Sequence, residues 1–453
     1  MDKNKIEIDD IFNKSYGISI DLIEKLNSID TTSEEEKKCF AEHSTPTELL
    51  INISKKINKE CFTKKYKFLD YSCGKGNIIL IIFYNYYINL KDKIKDNIEL
   101  CETICNNIYY SDINQDNVNI TSYKINKLCQ LICDDPDIIF KKNSYIGNSL
   151  NMNISDIWNI HNFDIIFVNP PFEDRIKRNK TPHKLWIDFT LKTFECWLKP
   201  GGYLYQISPA SFSSPSSKIL KLLKEKNIIC LNFNQEKYFK NVSISIAWYI
   251  IHNSPVKQKT SINDNYDIDI DDKLIYIPND NNHLSLSIHK KVMFDTKEKL
   301  KINKDYVTCH NIKLKEKNSI LSKTKTDIHI HPLFHTNKQI WYSSIKQEFK
   351  DKKKVMWTRS GYTKPFYDNG IYGYTDLVYF VLVDTDLQGE ILNHNLNLKL
   401  FRYIFKTARW SGFGNDKVFY ALPKLPEKKM NDTELYNHFK LSNEEIKLII
   451  NDS

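Results

Sequence analysis

Lys67-Phe68-Leu69-Asp70-Tyr71-Ser72-Cys73-Gly74-Lys75-Gly76 decides the fold. Lys67 to Tyr71 reads as a short buried strand, Ser72 to Gly76 as the turn that stops it, and the apolar run Ile78 to Ile88 as the helix behind. An acid at the strand end and two glycines in the turn let backbone come close to a ligand and aim a helix N-terminus at an anionic group. The turn excludes two commoner sites. A dinucleotide site wants a third glycine where Ile79 stands, and a phosphate loop wants Gly-Lys-Ser/Thr after a longer lead. Outward from this unit the alternation continues. Asn107 to Asp112 is a strand, Asn117 to Cys133 a helix, Asp164 to Val168 a strand, Leu185 to Leu198 a helix, and Tyr203 to Ser208 and Ser243 to His252 are strands. Strands alternating with helices predict a Rossmann-like α/β domain whose ligands sit at the carboxyl ends of a parallel sheet.

The strand Asp164 to Val168 ends on Asn169-Pro170-Pro171-Phe172, a more specific signal than the glycine turn. An amino group conjugated to a ring is a poor nucleophile because its lone pair is delocalised. The Asn169 side-chain oxygen and the Pro170 carbonyl can each accept one hydrogen of such a group. The paired prolines, Pro170 and Pro171, hold the backbone with no competing N–H, and Phe172 offers a flat face for a base. The plainer reading is a Pro-Pro turn after a strand.

Together the two loops resemble those of the amino-methyltransferases that modify adenine N6 in DNA, in the gamma-like motif order of cofactor loop, catalytic loop, recognition domain. The resemblance runs well from His43 to about His252 and loosely beyond. It implies S-adenosyl-L-methionine as cofactor, double-stranded DNA as substrate, an extruded adenine as acceptor, and catalytic roles for Asn169, Pro170, Pro171 and Phe172. The sulfonium is already an activated donor, so positioning and polarisation supply most of the rate. The family's Thr-Pro pair maps to Thr45 and Pro46, and its glycine-loop ligands to Asp70, Cys73, Gly74 and Gly76. The ribose-gripping acid maps to Asp112 beside Ile113. The Gly-Asp element maps to Gly147-Asn148-Ser149, where Asn148 replaces the expected Asp. Tyr71 stands where Pro is common. Trp186 to Phe194, Gly201-Gly202-Tyr203-Leu204 and Pro209-Ala210-Ser211 continue the pattern. RNA adenine and a protein glutamine amide are the alternative acceptors, since the same loop serves any planar NH2 group. A non-catalytic DNA-binding partner is the other class, but Asp70, Gly74, Gly76 and Asp112 all stand.

A chain of 453 residues has room for a second domain, and the organisation expected is a helical extension over 1–43, a catalytic domain over 44–255, a polar linker over 256–275, an α+β target-recognition domain over 276–426 and a helical tail over 427–453. The tail carries a capping box at Ser442 to Glu445. A formal charge of +9 suits a polyanionic partner, and arginine is confined to positions 175, 178, 359, 402 and 409. Lys177, Arg178 and Lys180, just past the catalytic loop, are candidates for backbone phosphate; Arg359 in Trp357-Thr358-Arg359 and Arg409-Trp410 are candidates in the recognition domain. His329, His331 and His335 invite a metal reading, with alternate positions on an exposed strand the more ordinary account; no metal is expected. The charged N-terminus has no apolar signal region and Ile78 to Ile88 is too short for a bilayer, so an intracellular, soluble protein without a membrane partner is expected. Ten cysteines then read as reduced thiols. Cys101/Cys105 and Cys129/Cys133 are two i,i+4 pairs explained by burial on one helix face, zinc being the alternative. A stand-alone methylase follows, a monomer or weak dimer, with a separate restriction endonuclease as a possible companion.

Overall fold

The computed structural model describes residues 2–29, 44–173, 184–215, 217–239, 244–280, 282–304, 310, 314–315, 319–336, 339–359, 364–410 and 416–452. Lys177, Arg178 and Lys180 lie outside the described residues. The chain divides into two compact units: Met1–Phe212 with Lys221–Asp269, and Ser213–Leu220 with Ile270–Ser453.

The first unit is built on one nine-stranded sheet in the order β3-β2-β1-β4-β5-β7-β6-β8-β9. Its strands are β1 Phe68–Asp70, β2 Ile108–Asp112, β3 Asn143–Ile146, β4 Phe163–Val168, β5 Leu198–Pro209, β6 Asn227–Asn232, β7 Ile246–His252, β8 Thr260–Ile262 and β9 Tyr266–Ile268. The five strands from β3 to β5 run parallel, and β7 runs antiparallel to both of its neighbours. The chain order reverses at β1, which has β2 and the later strand β4 on its two sides. A doubly wound sheet opens its ligand crevice at such a point. All three residues of β1 are buried, as a central parallel strand requires.

Helices α1 Asp2–Asn13, α2 Ile20–Ser28, α3 Thr47–Ser54, α4 Asn77–Leu90, α5 Asn97–Asn107 and α6 Gln115–Cys133 precede the second half of the sheet. α4 follows the glycine turn and is buried almost all round, which is why its sequence is apolar without a polar stripe. Asp96 and Asn114 cap α5 and α6 by accepting their first backbone N–H groups. Leu22, Ile23 and Leu26 of α2 join the same core as α4, so the N-terminal segment is part of this unit.

Two expectations are corrected here. The helix that starts at Leu185 stays α-helical only to Lys192 and then widens into a π-turn, Thr193–Trp197. The polar stretch expected as a linker from 256 instead adds β8 and β9 to the sheet edge. Its Asn and Asp residues are turn chemistry: Asn263 and Asp264 take positive φ of 51° and 55° between the two strands.

The second unit holds two four-stranded sheets and several helices, the α+β content expected. One sheet runs β10-β17-β14-β15, with β10 Asn303–Lys304, β14 Lys354–Thr358, β15 Phe366–Asp368 and β17 Val378–Leu382. The other runs β11-β13-β12-β16, with β11 Leu321–Ser322, β12 His331–Thr336, β13 Gln339–Ser343 and β16 Gly373–Tyr374. Helix Lys399–Thr407 and the tail helices Asp432–His438 and Asn443–Asp452 share one core with β14 and β17, so the tail belongs to this unit. Among the described residues no helix is long and apolar enough to cross a membrane.

Candidate functional site

The site forms where β1, β2 and β4 end side by side. Asp70 terminates β1, fully buried; its Oδ1 accepts the Ser72 N–H at 3.0 Å and its Oδ2 is buried without a partner. Burial, reinforced by the neighbouring Asp112 charge, pushes the Asp70 carboxyl up to about 8. An acceptor kept dry and unpaired is a seat for a donor or a cation.

Asp112 terminates β2. Burial raises its carboxyl above the ordinary range too, although several donors oppose the shift. Its Oδ2 takes the Gly74 N–H at 2.9 Å, and its Oδ1 takes the Asn114 N–H at 2.8 Å and the Asn117 amide at 3.2 Å. Asp112 therefore ties the end of β2 to the glycine turn. The turn itself needs its glycines. Gly74 and Gly76 have φ of 50° and 90°, and a Cβ on Gly76 would come within 2.8 Å of Thr121. Cys73 is buried beside Thr121. Just beyond Asp112, Ile113 is 55 % exposed and offers an apolar face at the rim.

The Asn-Pro-Pro-Phe loop continues β4 and meets the glycine turn directly: the Ser72 hydroxyl donates to the Asn169 carbonyl at 3.3 Å. The Asn169 amide nitrogen donates to the Thr45 hydroxyl at 3.0 Å, which leaves Oδ1 as the spare acceptor, and that atom is buried without a partner. Thr45 is itself held by the Asn77 amide, which donates to the Thr45 carbonyl at 3.0 Å. Asn27 of α2 donates to the Asn77 carbonyl at 3.5 Å. Pro46 caps the start of α3. Pro170 is buried, Pro171 half-buried, and Phe172 is half-buried against the unit's core.

Tyr71, the departure from the usual proline, fills an aromatic cluster under the turn. It stacks on Phe189 at 5.0 Å with an interplanar angle of 3° and touches Trp197. On the other side of β2, Ser149 is buried and donates to the Tyr71 carbonyl at 2.7 Å. Asn148 is exposed, and its amide oxygen already accepts the Leu150 N–H at 3.0 Å as a local cap.

Sequence reasoning missed Asn77 and Asn27, which steady Thr45 and through it Asn169. The signal was present: Asn77 is a polar residue at the head of a helix otherwise apolar through Phe83.

In the second unit Arg359 is half-buried with its Nε unpartnered, and Arg409 is half-buried. Trp410 corrects an expectation. It is 5 % exposed, packs on Tyr276 and donates its ring N–H to the Ile277 carbonyl at 3.0 Å, so it is a core residue with no face left for a base. Among the described residues no three or more His, Cys, Asp or Glu side chains are grouped so as to hold a metal ion. His335 is buried and stacked on Trp341 at 3.9 Å, and burial lowers it to about 4.

No protein-family model matches the sequence. No curated protein matches it at a significant level. Solved structures do match in fold. The DrdV–DNA complex aligns over 90 % of this chain at 10 % identity with a TM-score of 0.53. The ATP-dependent Type ISP restriction-modification enzyme LlaBIII, bound to DNA, aligns over 87 % at 9 % identity with a TM-score of 0.52. The methyltransferase subunit of a type I restriction-modification system from Streptococcus thermophilus aligns over 56 % at 16 % identity with a TM-score of 0.33. This chain spans 57 %, 38 % and 56 % of those three chains. The first two alignments are longer than either unit alone, so each unit shares fold with part of DrdV and LlaBIII.

Proposed function

We propose that this protein transfers a methyl group from S-adenosyl-L-methionine to the exocyclic N6 of adenine in double-stranded DNA. One observation carries the reading. The Asn169 side-chain amide is pinned through its nitrogen by Thr45, its Oδ1 is buried and unpaired, and its main-chain carbonyl accepts the Ser72 hydroxyl of the glycine turn.

The residues present suit the cofactor. Asp70 Oδ2 is an orphaned buried carboxyl oxygen that an ammonium group would draw into its charged, accepting form, the Gly74 to Gly76 turn presents backbone, and Asp112 and Ile113 stand at the next strand end, a polar and an apolar contact for a nucleoside. Asn148 and Ser149 would close that side. When bound, the cofactor supplies an electrophilic methyl on sulfur. The chain's own residues do the rest. Asn169 Oδ1 and the Pro170 carbonyl accept the two amino hydrogens, which localises the nitrogen lone pair toward the donor. Phe172 stacks on the extruded base, and Pro171 keeps the loop stiff. No strong general base is required, since the amine nitrogen becomes acidic only once methylated.

Arg359, with an unpartnered buried Nε, and Arg409 are assigned to DNA, together with Lys177, Arg178 and Lys180. The protein is then a restriction-modification type methylase, working as a monomer or weak dimer. Incubation of the purified chain with labelled cofactor and separate DNA, RNA and protein acceptors, followed by nucleoside analysis, tests it. N6-methyladenine in DNA is expected; label confined to RNA or to protein glutamine overturns the reading. Asn169→Ala is expected to abolish transfer while cofactor affinity stays within about threefold.

A further inference from the structure

Four thiols that the proposed reaction does not use line up between two antiparallel helices. Cys101 and Cys105 come from α5, Cys129 and Cys133 from α6. Cys105 Sγ lies 3.8 Å from Cys129 Sγ, and Cys133 Sγ lies 3.8 Å from Cys101 Sγ. The Cys101 thiol also donates to the Cys129 carbonyl at 3.9 Å, so the four cysteines follow one another in the order 105, 129, 101, 133. Cys105, Cys129 and Cys101 are buried, whereas Cys133 at the end of α6 is half-exposed. The row has a buried end and one open end.

Burial on a helix face explains why cysteines recur every fourth residue within each helix. It does not explain why the two faces are in register, sulfur against sulfur, at two successive levels. Closing 3.8 Å to a disulfide bond of about 2.05 Å asks each sulfur to swing by about 1 Å, within reach of small χ1 changes.

We propose that this row is a redox-modification site, in which a small-molecule disulfide enters at Cys133 and up to two cross-links, Cys101–Cys133 and Cys105–Cys129, join α5 to α6. The Cys133 thiol passes its proton to the Cys101 thiolate along their hydrogen bond and attacks the small disulfide, forming a mixed disulfide and releasing one small thiolate, which takes that proton from Cys101. Cys101 sulfur then attacks Cys133 sulfur and expels the second small thiolate, which takes from solvent the proton Cys101 had first released. One small disulfide is reduced to two thiols for each cross-link formed. Two exchanges then move the bond inward: Cys129 attacks Cys101 and frees Cys133, and Cys105 attacks Cys129 and frees Cys101. The rim pair is reduced again and accepts a second oxidation. Hydrogen bonding with Cys129 and Cys133 holds Cys101 below the usual thiol range, whereas burial and the Cys101 charge raise Cys133, and hydrogen bonding and burial raise Cys129, so Cys101 is the thiolate of the row and the inward exchanges are the slower steps.

The staple would act on the helix that backs the glycine turn, since Thr121 and Lys124 of α6 donate to the Gly74 and Lys75 carbonyls at 3.3 and 3.1 Å. The test uses the full chain titrated with oxidised glutathione under native conditions, acid-quenched, alkylated after unfolding, and mapped by peptide mass. Two thiols are expected to be lost first and four at higher oxidant, with 101–133 and 105–129 as the linked pairs. Cys133→Ser is expected to slow formation of the inner pair at least tenfold. Four alkylatable thiols at these positions with glutathione only on the exposed Cys196, or links that do not cross between α5 and α6, overturn the proposal. So does a thiophilic metal recovered with the purified protein that must be stripped before any of the four reacts.

Discussion

At the scale of single residues the site turns on two orphaned oxygens, Asn169 Oδ1 and Asp70 Oδ2. The first is aimed by Thr45, whose hydroxyl holds the Asn169 nitrogen. Thr45→Val keeps the shape and removes that partner, so the amide loses its fixed orientation. The expected result is a fall in kcat of about tenfold to a hundredfold with near-normal stability, and recovery in Thr45→Ser, measured by steady-state methyl transfer. The Asp70 oxygen makes a prediction about pH. Its carboxyl sits at about 8 in the folded protein against an ordinary 3.8, so between those values the folded chain keeps a proton that the unfolded chain has lost. Unfolding is therefore increasingly favoured as pH rises from about 4 to about 8, and levels off above. In Asp70→Asn that part of the slope should vanish. A cofactor-free Tm profile over this range that is equally steep in both proteins would show that Asp70 ionises freely in the fold.

At the scale of elements, β14 and β15 in the second unit share a buried ion pair. Lys354 and Asp368 are 0 % and 1 % exposed and 2.6 Å apart. Each is further satisfied by backbone: Lys354 donates to the Lys350 and Lys352 carbonyls, and Asp368 accepts from the Ile371 and Tyr372 N–H groups. Lys354→Met leaves the carboxylate buried beside apolar atoms, at a cost of about 3–5 kcal/mol, read as a lower denaturant midpoint for this unit. The double change Lys354→Met with Asp368→Leu should recover most of it. The element scale also shows where periodicity misleads. The helix from Leu185 carried enough apolar residues to predict continuation to Leu198, yet the packing of Tyr71 against Phe189 and Trp197 goes with a π-turn that periodicity does not foresee.

For the whole molecule, a formal charge of +9 and the assignment of arginine and lysine to phosphate predict that duplex affinity falls steeply with salt. With about six neutralised phosphates the loss between 50 and 200 mM salt is about a thousandfold, measured by fluorescence anisotropy. An affinity independent of salt would remove phosphate neutralisation from the account. Much of the first unit was legible in the chain: the strand and glycine turn at Asp70 to Gly76, the loop at Asn169, and the alternation that makes a parallel sheet are local patterns of a few residues each, and their physics is local too. Burial was not legible, because it depends on what packs from elsewhere in the chain. Trp410 beside Arg409 looks like a base-contacting pair until Tyr276 and Ile277 close over the ring. The polar run from 256 looks like a linker until β6 offers it an edge to pair with. Local order and loop chemistry were thus set by the sequence alone. Which aromatic face stays free, how Asn77 and Thr45 pin one amide, and that four distant cysteines meet in a row were decided only by tertiary packing, which brings together residues no local pattern can relate.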